Sequence, residues 1–161
     1  MTLAPVRLSE VLGTLVAVRL DWAGLKQQIA EAAYELRPGQ FIIVEYATPS
    51  GCDPEPYSQA AFHSDYIQLE VVSEVYLAAS QWPIDAEALT RAGWHEPGEV
   101  VENWWRNADS AHETASLLVQ ALRRGRSCWD PQRFSWQMGT FPHGSDGGLP
   151  ITREVTPARA G

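Results

Sequence analysis

The stretch "YSQAAFHSDYIQLEVVS", residues 57–73, decides the fold class. Its second half sets Ile67, Leu69 and Val71 against Tyr66, Gln68 and Glu70, the period of two that sends successive side chains to opposite faces of a strand. "HSD" at 63–65 has turn character and separates this run from "YSQAAF", so the pair reads as an antiparallel hairpin with one face buried. Such a sheet needs a second layer over its apolar face.

The flanking segments supply that layer. Upstream, Trp22, Leu25, Ile29, Ala32, Ala33 and Leu36 recur at helical spacing, with Lys26, Gln27, Gln28 and Glu31 between them. "RPGQ" stops this helix, "QFIIVEYA" reads as a strand, and "TPSGCDPEP" reads as a long exposed loop. Downstream, "PIDAEALTRAG" predicts a short helix with Asp85 as N-cap and Gly93 just past its end. "AGWHEPGEVVENWWRN" places Pro97 and Gly98 between two aromatic or β-branched runs, a second hairpin. In "DSAHETASLLVQALRRG", Ser110 and Glu113 stand at capping-box spacing, ahead of a stripe of Ala111, Ala115, Leu118 and Leu122. The predicted order is α-β-β-β-α-β-β-α, an α+β fold whose antiparallel sheet carries its helices on one face. Residues 1–20 are expected to be an N-terminal extension and 21–141 a single domain. Residues 142–161, rich in Gly, Pro and charge without periodicity, are expected to be disordered.

Composition narrows the partners. With 161 residues and 45% hydrophobic content, the chain can build one core. Twelve Lys and Arg against twenty Asp and Glu give a net charge of -8, which repels a phosphate backbone and argues against nucleic acid. Arg123, Arg124 and Arg126 of "RRGR" fall where a helix should end, so they read as charges opposing the helix dipole. Cys52 and Cys128 have neither metal-ligand nor redox spacing and are expected as reduced thiols in a cytoplasmic protein. "VLGTLVAV" is too short and too poorly flanked for a signal peptide, and no apolar run approaches the ~20 residues of a membrane span.

No motif for catalysis survives scrutiny. "HETAS" at 112–116 begins like a zinc-protease helix, but Ser116 stands where the second histidine is needed. His63, Ser64 and Asp65 are consecutive and cannot form a triad's hydrogen-bond chain. "GSDGGLP" lacks the lysine and the following helix of a phosphate loop. No catalytic, cofactor-binding or metal-binding residues are therefore assigned.

The binding clue is aromatic. In a strand over 100–106, Trp104 shares a face with Val100, Glu102 and Arg106, whereas Trp105 shares one with Val101 and Asn103. Trp105 is thus expected in the core and Trp104 at the surface. An exposed Trp forfeits several kcal/mol of burial at ~25 cal/mol per Å² and points to a partner. Tyr66, Gln68 and Glu70 face away from the helices in this reading, so the expected partner-binding set is Trp104, Tyr66, Gln68 and Glu70. A polar and aromatic sheet face suits an extended peptide or a second subunit.

"YSQAAFHSDYIQLEVVSEVYL", "ALTRAGWHEP", "ENWWRN", the helix ending "QALRR" and "CWDPQRF" together resemble the actinobacterial TY-Chap domains. These are peptide-binding chaperone-like modules related to type III secretion chaperones and YbjN proteins. The resemblance covers about residues 20 to 136. It implies the same element order, no catalysis, a protein or peptide client and often a homodimer, with Gly93, Trp94 and Asn103 in structural positions. Two departures stand out: the double Trp of "ENWWRN", and "GRSCW" after the helix where an apolar strand-like run is expected. The leading expectation is a non-enzymatic chaperone-like module binding its client through the sheet face or edge. The alternative is an acidic immunity-type inhibitor of a basic toxin or enzyme, favoured by electrostatic steering.

Overall fold

The computed structural model describes residues 20–141, preceded by three short strands, β1 (Thr2–Leu3), β2 (Leu8–Val11) and β3 (Thr14–Ala17). The tail expected to be disordered, 142–161, lies outside the described residues. Helix α1 (Trp22–Tyr34) begins where the Asp21 carboxylate accepts the Gly24 N–H at 2.7 Å, and it buries Leu25, Ile29 and Ala33 of the expected stripe. Strands β4 (Gln40–Tyr46), β5 (Tyr57–Phe62) and β6 (Ile67–Val71) follow as an antiparallel meander. Helix α2 (Ala86–Arg91) is capped by Asp85, which accepts from Ala88 N–H at 2.9 Å. It stops at Gly93, whose φ of 86° is a left-handed conformation that glycine adopts without steric cost.

Strand β7 (Trp104–Ala108) leads into α3 (Ala111–Gln120), which continues as a π-helical turn over Ala121–Gly125. Ser110 accepts from Glu113 N–H at 3.1 Å, and the Glu113 carboxylate reaches back to Asp109 N–H at 2.7 Å. The first bond is the one the capping-box spacing predicts; the second is displaced by one residue, because Glu113 accepts the N–H of Asp109 rather than that of the N-cap Ser110. Strand β8 (Phe134–Thr140) closes the domain. The principal sheet has the order β1-β8-β4-β5-β6-β7 with every pairing antiparallel, while β2 and β3 pair only with each other.

The α+β class and the predicted order hold, with one strand added and one hairpin contracted. Strand β8 is inserted beside β4, and the alternation of Phe134, Trp136 and Met138 with Ser135, Gln137 and Gly139 is the signal that marks it. A Cβ at Gly139 would lie 2.5 Å from the Phe41 ring, so glycine leaves the space that ring fills. The second hairpin contracts to one bridge between His95 and Trp105, with N–H···O bonds of 2.8 and 3.2 Å and a turn closed by Gly98 N–H to Val101 O at 2.7 Å.

The main core lies between the sheet and the pair α1 and α3, joining Leu25, Ile29, Ile42, Val44, Leu69, Val71, Leu118 and Leu122. A smaller cluster of Phe41, Ile43, Tyr57, Ala61, Val72 and Leu77 lies on the opposite, outer face. Much of the outer face is therefore buried as well, β5 at every position, while its β7 margin keeps Trp105 half-buried and Asn107 exposed. That corrects the expectation of one open face.

Candidate client-binding surface

The register of β6 and β7 decides which tryptophan faces outward. Trp104 pairs with Val71 and Trp105 with Glu70, so Trp104 joins the apolar face and is only 3% exposed in the core. The surface position expected for Trp104 belongs to the half-buried Trp105. Charged neighbours misled the reading. Glu102 precedes the strand, and Arg106 keeps its head at the rim by donating to the Ala92 carbonyl and lying 3.8 Å from Glu113. A long stem can cross an apolar face while its charge stays near solvent.

On the outer face, strand registers line up one row: Gln137, Ile43, Gln59, Glu70, Trp105 and His95. The His95 ring lies 4.4 Å from the Trp105 ring at the exposed end of this row. A neighbouring row carries Gly139, Phe41, Ala61, Gln68 and Asn107. Gln68 and Glu70 do point away from the helices, but they are buried, at 8% and 2% exposure. Glu70 accepts from Asn103 Nδ2 at 3.1 Å and from Gln68 Nε2 at 3.3 Å, while Asn103 also donates to the Tyr57 hydroxyl at 3.3 Å and accepts from Ser73 N–H at 3.0 Å. Such a network satisfies buried polar groups and fixes the β6 exit. The resemblance places Asn103 as structural, and its contacts agree with that.

Tyr66 is 40% exposed and begins a ladder of rings. Its ring stacks on His63 at 4.4 Å, His63 on Phe141 at 5.8 Å, and Phe141 on Phe41 at 5.7 Å. Burial holds the His63 imidazole below its ordinary pKa. At the other end of the meander, the fully buried Arg126 donates to the carbonyls of Val72, Ser73, Leu77, Trp82 and Pro83 over 2.7 to 3.3 Å. One planar guanidinium thereby shapes the whole segment between β6 and α2. Sequence reasoning missed this role.

The α1 and α3 side offers a second concavity, an open cleft of about 740 Å³ that includes Lys26, Ala30, Glu31, Tyr34, His112 and Ser116. Tyr34 is 79% exposed there. His112 and Ser116 thus face a groove between helices. Among the described residues, no group of His, Cys, Asp and Glu could hold a metal ion, and no helix is long and apolar enough to cross a membrane. Cys52 is half-buried, whereas Cys128 is buried and its thiol is pushed well up by loss of solvent.

What the architecture describes is a small sheet-and-helix module with aromatic side chains at the margins of a polar-lined sheet face. The chain belongs to the TY-Chap3 family, described as T3SS (YopN, CesT) and YbjN peptide-binding chaperone 3, whose model matches residues 16–137. No curated protein and no solved structure matches. Membership implies a peptide-binding, chaperone-like role.

Proposed function

We propose that the chain is a non-enzymatic, chaperone-like module that binds an extended protein or peptide client along the outer face of its sheet and the β7 edge. Tyr66 and Trp105 anchor the client, while the buried Gln68 and Glu70, held with Asn103, stiffen the outer face between them. Trp104 supports this surface from the core. The observation that carries the reading is that accessible rings, Tyr66 ahead of β6 and the His95–Trp105 pair at the β7 edge, stand at two margins of the sheet face that holds Gln68 and Glu70.

Main-chain pairing would supply affinity and side-chain pockets selectivity. Among the described residues, the outer β7 edge is bridged at the Trp105 position alone, to His95, and strand alternation turns the backbone of Asn107 to the same side. A second copy pairing through this edge would form a homodimer. The protein acts in the cytoplasm in this reading, on a soluble client and without nucleic acid.

The test is binding to an array of overlapping peptides of varied composition, using wild type, Trp105→Ser, Tyr66→Ser and Tyr34→Ser, each confirmed folded by circular dichroism. Loss of an aromatic anchor should weaken binding about thirtyfold, the effect of ~2 kcal/mol. Losses in Trp105→Ser and Tyr66→Ser with Tyr34→Ser unaffected support the sheet surface. A loss confined to Tyr34→Ser moves the site to the helical cleft, and no binding by wild type removes the reading. Capture of one basic protein alone, with steep salt dependence, would instead favour the immunity-type alternative.

A further inference from the structure

We infer that His63 is a positioning residue of the client surface: its neutral imidazole, held between Phe141 and Tyr66, fixes the Tyr66 ring as an anchor, and protonation releases that ring and loosens the client. The fixing of the ring stands on the geometry alone; the effect on a client rests on the function proposed above.

The turn between β5 and β6 builds the contact. His63 N–H donates to the Tyr66 carbonyl at 2.9 Å and closes the turn, and the two rings stack 4.4 Å apart with planes 22° from parallel. His63 in turn stacks on Phe141 at 5.8 Å and 26°. Phe141 is fixed twice, by its N–H to the Gly39 carbonyl at 2.8 Å and by stacking at 5.7 Å on the buried Phe41. Tyr66 has less support. It is 40% exposed, its hydroxyl bonds to no described residue, and His63 is the one described ring stacked against it. The orientation of this anchor is therefore passed from the sheet through a single imidazole.

Charge decides whether the imidazole can stay. Its Nε2 is buried and without a hydrogen-bond partner among the described residues. A neutral imidazole can leave one nitrogen as a bare lone pair, whereas the imidazolium carries an N–H on both, and a buried charged donor with no acceptor is costly. The titratable groups of the segments that meet here are Asp65 and Tyr66 in the turn, Asp109 next in register beyond Ala108, and Arg37 in the turn before β4. Among the described residues none forms an ion pair with His63, and burial alone holds its pKa down. The ends of β4 and β8 add Gln40, Phe41, Gly139 and Thr140, none of which titrates. Attraction between the imidazolium and the flanking rings supplies no acceptor for its Nε2–H. Turning the ring out to water does, and Tyr66 then loses its stacking partner.

Two measurements on the full chain test this between about pH 7.5 and about pH 5, a range that spans the ordinary histidine pKa of about 6.5. In the first, nuclear Overhauser contacts between the His63 and Tyr66 rings are followed without any client, alongside the protonation of His63. The contacts should be present at the upper pH and vanish as the imidazole titrates, while the amide spectrum stays that of a folded chain. Contacts that survive protonation, a ring that stays neutral throughout, or collapse of the whole amide spectrum overturns the inference. In the second, anisotropy reads the affinity of a labelled array peptide free of titrating side chains. Wild type should lose about tenfold on acidification, less than removal of the ring itself costs. His63→Phe keeps a ring that does not titrate and should give a flat profile, while His95→Gln, at the other margin, should retain the fall. A fall of the same size in His63→Phe overturns the link to the client. A wild type that binds no peptide at either pH removes the proposed function, and the ring contacts then decide the positioning alone.

Discussion

Arg126 places a permanent charge in the interior with five main-chain acceptors and no ion-pair partner within bridging distance among the described residues. Burial pulls its guanidinium down to about 10, still charged at neutral pH, so the carbonyls around it have to match that charge. Arg126→Met removes the donor and leaves the carbonyls buried; the expected loss is about 3–5 kcal/mol in urea unfolding. Arg126→Lys should recover only part of this, because an ammonium has three donors and no planar fork. In sequence, Arg126 is indistinguishable from its neighbours in "RRGR". The helix-end reading suits Arg124, which is exposed, while Arg123 lies 4.4 Å above the Trp22 ring. Only the π-helical turn and the positive φ of 53° at Ser127 swing the chain so that Arg126 points inward. The tryptophan pair makes a parallel case. Trp104→Ala opens a cavity in the main core and should cost about 3–5 kcal/mol, whereas Trp105→Ala should cost less than half as much. Equal losses in the same unfolding measurement would mean that the pair does not divide between core and surface.

Among the elements, helices were legible where a cap and a stripe agreed. Asp21, Asp85 and Ser110 each accept the N–H expected of an N-cap, since capping is local chemistry and needs no knowledge of the fold. Ser110→Ala should therefore lower stability by about 1 kcal/mol, read from the shift in urea midpoint at unchanged slope. Strands were legible in pattern but not in environment. The alternation in β6 located Leu69 and Val71 correctly, yet it said nothing of what lies over Gln68 and Glu70. Covering is a tertiary property, and both faces of a central strand can be buried even when one is polar. The turn between β5 and β6 yields a pH prediction. Burial lowers the His63 pKa, so below about 6.5, the value of an unfolded histidine, the unfolded chain binds more protons than the folded one. This histidine therefore contributes a loss of stability as pH falls from 7 through that value, levelling off below its folded pKa. His63→Phe keeps a ring between Tyr66 and Phe141 but removes the titration. Its stability should fall less steeply with acid than that of wild type, and matching slopes between pH 7 and 5 would dismiss the effect.

For the whole molecule, charge and sheet architecture make separable claims about binding. A net charge of -8 can accelerate encounter with a basic partner, but the surface proposed for the client is built from rings, amides and a carboxylate already held by Asn103 and Gln68. Residue-level reading found the acidity and the polar side of β6. It placed Trp104 rather than Trp105 at the surface because the choice between them depends on a cross-strand register that a single sequence does not contain. If recognition runs through main-chain pairing and aromatic burial, affinity should depend weakly on ionic strength. Raising salt from about 50 mM to about 500 mM shortens the Debye length from roughly 14 Å to roughly 4 Å and suppresses long-range attraction. We therefore predict less than about a threefold change in peptide affinity across that range, measured by fluorescence anisotropy with one labelled array peptide. A fall of more than about a hundredfold would make charge the principal source of affinity and would favour a dedicated basic partner over extended clients. Stable affinity under salt, lost in Trp105→Ser, would tie binding to the surface where β6 and β7 bring Glu70 and Trp105 together.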